Sequence, residues 1–117
     1  MTTDLEYANF GILDGEGRII LSTEAEWMQW FGSDPKRGLL CQETIVNWTV
    51  SCRFTGCSTT PDGPPCFFTV QARHALLPEP ARCDFPSQEL AWQAFDAALL
   101  RVRQDVNAVA RQSLAAR

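Results

Sequence analysis

Two runs decide the fold: Thr44–Phe54, which reads TIVNWTVSCRF, and Cys66–His74, which reads CFFTVQARH. In the first, Val46, Trp48, Val50, Cys52 and Phe54 alternate with Asn47, Thr49, Ser51 and Arg53. A period of two places one set on an apolar strand face and the other on a polar face. The second run repeats this, with Cys66, Phe68, Val70 and Ala72 against Phe67, Thr69, Gln71 and Arg73. The stretch 55–65 between them contains Pro61-Asp62-Gly63-Pro64-Pro65. Its prolines remove backbone donors and Asp-Gly accepts positive φ, so neither strand continues through it. The expectation is an antiparallel pair joined by a loop too long for a tight hairpin turn.

Upstream, Asn9–Leu13 and Arg18–Leu21 flank Asp14-Gly15-Glu16-Gly17, a strong hairpin signal. Thr23 and Glu26 have capping-box spacing and open a short helix over about residues 23–31, which Gly32 is expected to stop. Trp27, Trp30 and Phe31 share one face of it and read as core. Leu39–Gln42 either begins a strand of its own or leads directly into the Thr44–Phe54 run. Leu76–Pro80 is a connector, and Arg82–Phe85 a short strand. Ser87 then caps a long helix over about residues 87–112. Ala91, Phe95, Ala98, Val102, Val106 and Val109 recur along it at helical spacing, with Leu99 beside them. Such a helix is roughly 36 Å long, against roughly 17–20 Å for a small sheet. The expectation is that Val102, Val106 and Val109 run past the sheet, where the N-terminal hairpin, a second copy or a foreign partner covers them. The architecture expected is a single α+β domain over residues 1–117, with one antiparallel sheet of four to five strands carrying both helices on one face.

At 117 residues, 45% hydrophobic and 21% charged, the chain has ordinary globular composition and enough length for a core without metal or disulfides. No apolar run reaches the ~18 residues of a membrane span. The opening MTTDLEYANF lacks the features of a signal peptide, so no membrane association and a cytoplasmic location are expected. Charge is uneven: residues 1–34 hold seven acids and one base, and residues 35–117 seven acids and nine bases. Asp14, Glu16, Glu24 and Glu26 are the candidate contacts to a basic protein partner, such as a nucleic-acid-binding surface. Direct nucleic-acid binding is disfavoured by an isoelectric point near 4.8 and scattered bases.

Signals of chemistry are sparse. His74 is the one histidine, and no spacing demands a cysteine beside it. Five cysteines, an odd number without an export signal, argue against a disulfide framework. Cys52 and Cys66 read as small core hydrophobes, although a Cys57–Cys66 link across the loop stays open. Cys57, Cys66, His74 and Cys83 are suitable zinc donors in an irregular spacing, so neither metal nor cofactor is expected. The expectation is a protein that is not an enzyme.

The segments TVSCRFTG, DGPPCFFTVQ and SQELAWQAFDAALLRVR resemble a family of small bacteriophage and prophage proteins, across roughly residues 45–103. That family carries W-x-V-S-T-x-F-L-G, then G-P-P-L-x-F-E-T-M-V-F, then T-W-x-E-A-x-x-G-H. Trp48, Val50, Ser51, Phe54 and Gly56 fit the first block; Gly63, Pro64, Pro65 and Phe68 the second; Ser87, Ala91 and Ala97 the third. Phe95 stands where the family has histidine, and Thr69-Val70 where it has Glu-Thr. The resemblance implies a phage or mobile-element origin and action inside a bacterial host cell. With it, the leading expectation is a non-enzymatic accessory protein that binds a host or phage macromolecule, such as an anti-CRISPR-like inhibitor of a defence system. The alternative is a homo-oligomeric structural or regulatory phage component, a homodimer through the long helix. A zinc-binding protein is the third reading.

Overall fold

A computed structural model describes residues 9–34, 36–58 and 65–115, with side chains described up to residue 108. The chain runs β1 (Asn9–Leu13), β2 (Ile19–Ser22), α1 (Glu24–Ser33), β3 (Leu39–Ile45), β4 (Trp48–Phe54), β5 (Cys57–Ser58), β6 (Phe68–His74), β7 (Ala81–Phe85) and α2 (Gln88–Ala115). The α+β class holds. The strands form two antiparallel sheets, in the orders β3-β4-β6-β7 and β2-β1-β5, where a single sheet of four to five strands is the sequence expectation.

The two deciding runs pair as expected, with Val50 opposite Ala72, Cys52 opposite Val70 and Phe54 opposite Phe68. One expectation is corrected. Thr44–Phe54 is not one strand, because Val46-Asn47 is a two-residue turn between β3 and β4, closed by the Ile45–Trp48 pair. Val46 sits at φ +55° and is 70% exposed, off the apolar face. A β-branched residue is strained in that left-handed region, so its identity points towards a strand and conceals the turn. Leu39–Gln42 therefore belongs to a strand of its own.

The main core lies between the four-stranded sheet and α2. Val50, Cys52, Phe54, Phe67, Phe68 and Val70 meet Ala91, Phe95, Leu99 and Val102 there, all buried. From Ala91 to Val106 the helix advances about 22 Å, the length of a seven-residue strand. Val102 is accordingly buried and Val106 packs partly against the core. The expected overhang thus starts beyond Val106, not at Val102; the Val109 side chain lies outside the described residues. Arg103 ties the helix to β3 through a 2.8 Å ion pair with Glu43. Ser87 caps α2, its Oγ accepting from the Leu90 amide at 3.2 Å.

The N-terminal unit docks through aromatic rings and a pair of glycines. Trp27 packs on Phe10 at 5.1 Å between ring centroids, and Trp30 and Phe31 pack on Phe54 at 5.8 and 6.5 Å. All three α1 aromatics are half-buried: Trp30 and Phe31 pack against the core from its margin, and Trp27 packs on Phe10, short of the full core role expected. Inside the 55–65 loop, β5 pairs with β1, and the Gly11 amide donates to the Gly56 carbonyl at 2.8 Å. Gly56 has φ +68°, and a Cβ there would strike the Gly11 carbonyl and the Trp27 indole, so only glycine fits. The part of the loop at 59–64 lies outside the described residues.

Candidate functional site: an apolar edge strand between acidic ends

The four acids picked out from sequence fall at the two ends of β2. At its start, Asp14 Oδ1 accepts from the amides of Glu16 and Arg18, both at 2.8 Å, and Gly17 completes the turn at φ +81°. Arg18 bridges Asp14 at 3.2 Å and Glu16 at 2.7 Å. The amide bonds, that from Arg18 foremost, hold the Asp14 carboxyl below its ordinary range. At the other end, Thr23 Oγ1 accepts from the Glu26 amide at 3.2 Å, and Glu26 Oε1 accepts from the Thr23 amide at 3.1 Å. That capping box lowers the Glu26 carboxyl in the same way. Glu24 has no hydrogen-bond or ion-pair partner among the described residues and is exposed. The acids therefore divide. Asp14 and Glu26 build the backbone around them, whereas Glu16, paired with Arg18 at the surface, and the exposed Glu24 hold no backbone group among the described residues.

Between those ends lies a strand whose apolar side chains are left in water. Ile19, Ile20 and Leu21 are 41%, 46% and 70% exposed. β2 pairs with β1 on one side only and is the edge of its sheet among the described residues. The phase of the ladder follows from two bonds. The Asp14 amide donates to the Arg18 carbonyl at 2.9 Å, and the Gly11 amide turns away from β2 to Gly56. Antiparallel pairs alternate between bonded and non-bonded. Ile12–Ile20 and Phe10–Ser22 are thus bonded pairs, and the backbone N–H and C=O groups of Ile19 and Leu21 point out along the open edge. Natural edges are commonly blunted by charge, proline or a bulge within the strand. Ile19–Leu21 carries none of these, and its charges stand only at the flanks.

The remaining candidates are dispersed. His74 stands at the far end of β6, edge-on to Trp48 at 4.9 Å, its Nδ1 accepting from the Leu76 amide at 3.1 Å. Cys57 and Cys66 are thiols lining a cleft of about 240 Å³ with Thr55, Ser58 and Asp84. Cys83 is exposed on β7. The four donors of the zinc reading are not brought together, and among the described residues no three His, Cys, Asp or Glu groups are placed to share an ion. Cys52 is fully buried, and burial pushes its thiol up to about 11, which keeps it protonated. Cys66 is only half-buried, short of the core role expected for it. A second surface feature is an apolar groove of about 610 Å³ between β6–β7 and α2, where Ala72, Ala81 and Cys83 face Ala94, Ala97 and Ala98. Small side chains on both walls leave it open.

Sequence reading finds the acids and the hairpin strand between them, but not that this strand is an exposed edge. A signal is present. Ile19-Ile20-Leu21 does not alternate, and a strand apolar on both faces belongs inside a sheet or beside a partner. No described helix is long and apolar enough to cross a membrane. No protein-family model, curated protein or solved structure matches this chain.

Proposed function

We propose that this protein acts by binding rather than by catalysis, and that the edge strand β2 with its acidic ends is the surface that binds a basic protein partner. The observation that carries the reading is the run of three exposed aliphatic residues on an open sheet edge, flanked by four carboxylates against the single Arg18. Exposed aliphatic side chains in contiguous array mark interaction surfaces. Acids around them select the partner's charge and speed encounter more than they add affinity. The resemblance of residues 45–103 to phage and prophage proteins supports a setting in the cytoplasm of a bacterial host. There, an accessory protein that occupies the basic surface of a host factor, such as a nucleic-acid-binding defence effector, acts as an inhibitor.

The test is affinity capture from bacterial lysate with and without phage infection, using the parent chain and the Glu16→Lys/Glu24→Lys variant. Asp14 and Glu26 are left in place because they hold the turn and the helix cap. The variant is expected to melt with the parent, and to associate with the captured partner at least tenfold more slowly at low salt. An unchanged association rate and salt dependence would remove this surface from the reading.

A further inference from the structure

The geometry points to a particular mode of binding at this edge. A partner segment adds to β2 as an extra strand, with an apolar middle that pairs with Ile19–Leu21 and basic residues at both ends. This deepens the functional reading above and rests on it. The outward N–H and C=O groups of Ile19 and Leu21 form one half of an antiparallel ladder. Pairing through them places successive partner side chains alternately on the two faces of the sheet. One falls beside Ile20 on the Phe10 side, which carries α1, and the next beside Ile19 and Leu21 on the opposite side. Both faces of β2 are exposed and aliphatic, so the added strand is apolar through its middle. At its ends it meets the Asp14–Glu16 turn and the Glu24–Glu26 helix start, so its flanks are basic.

Charge also argues against a second copy as the occupant. Two β2 strands related by a two-fold axis overlap fully when Ile20 lies opposite its counterpart and Ile19 opposite Leu21. That register brings the acidic Asp14–Glu16 turn of one copy towards the acidic Glu24–Glu26 helix start of the second. Like charges brought together in this way repel. The edge is guarded against its own kind by the same acids that attract a basic strand.

The experiment is an NMR titration of the full chain with a capped peptide, Lys-Arg-Val-Ala-Val-Ala-Val-Lys-Arg, and with a twin whose four basic residues are replaced by Glu. The basic peptide is expected to bind at least tenfold tighter at low salt, to lose most of that advantage in high salt, and to slow exchange of the Ile19 and Leu21 amides. Methylating alternate peptide nitrogens gives two further probes. One pattern blocks the ladder and loses binding, whereas the other, with its methyls turned outward, binds as the parent peptide does. Leu21→Pro removes the outward donor and keeps the pairing to β1, so it is expected to melt like the parent and to lose binding at least tenfold. No binding at millimolar peptide, perturbations confined to the β7–α2 groove, or a dimer by light scattering that protects Ile19 and Leu21 overturns the proposal. If both methylation patterns bind equally while charge still matters, strand addition fails and the acidic surface stands. If the ladder signature appears but both flank charges bind alike, strand addition stands and the charge-selected partner fails.

Discussion

The two sheets differ in what covers them. The four-stranded sheet has α2 along its length, and its central strands contribute Val50, Cys52, Phe54, Phe68 and Val70 to a continuous buried core. The three-stranded sheet has the short helix α1, which buries none of its own residues fully, and an edge strand with three exposed aliphatic side chains. Its contribution to the core comes mainly through rings, with Trp30 and Phe31 resting on Phe54. Stability is therefore concentrated in one unit. The other keeps its apolar surface available for something outside the chain. A protein that binds through an edge needs a firm scaffold and an edge left open, and the two sheets supply one each.

Phe54 is the joint between the units, 1% exposed and in ring contact with Trp30, Phe31, Phe67 and Phe68. Phe54→Ala is expected to cost about 3–5 kcal/mol by denaturant unfolding, because it opens a cavity that both units line. Trp48, at the other end of β4, is only half-buried. Trp48→Ala is expected to cost less, about 2 kcal/mol, since part of its surface is already in water. Equal losses at the two positions would mean that the joint is no more critical than the far end of the sheet.

Val46 tests the four-stranded unit in the opposite direction. Its left-handed φ is unfavourable for a β-branched side chain, and the residue is mostly exposed. Val46→Gly relieves that strain and is expected to raise stability by about 1 kcal/mol. A lower melting temperature would show that the valine makes packing contacts worth more than its backbone strain.

The N-terminal unit responds to smaller changes at its caps. Thr23→Ala removes the α1 cap and is expected to cost about 1 kcal/mol, with faster exchange of the first α1 amides and little effect on α2. A uniform change across both helices would indicate that the two units unfold as one. Acid acts on the same unit. Asp14 and Glu26 have lowered carboxyl pKa values, so the stability they provide is complete above their ordinary values and fades as pH falls through those values to the depressed ones. Loss of order on acidification, followed by NMR, is expected first at the β1–β2 turn and the start of α1. Because both groups lie at the surface, the effect is small and weakens further in salt.

Much of this was legible in local chemistry. The Asp14–Gly17 turn, the Thr23–Glu26 box, the Ser87 cap and the β4–β6 pairing each depend on residues close in sequence or on strict alternation, and all four are present. The Val46-Asn47 turn was not, because a valine in a left-handed conformation has the wrong identity for the shape it adopts. Nor was the reach of the α2 stripe. The helix pattern marks which face is apolar, but the length of sheet beneath it depends on where β3 turns into β4.

The sequence alone determined the class of fold, the acidic residues and the runs of apolar side chains, because propensity, capping and periodicity act over a few residues. Tertiary structure decided that there are two sheets. It did so by pairing Cys57–Ser58 with β1 through the close approach of Gly11 and Gly56, a contact between segments more than forty residues apart. It also decided which aliphatic residues remain exposed. Val102 and Ile20 look alike in sequence, yet one lies under a sheet and the other on its edge, and burial depends on what the rest of the chain brings to each.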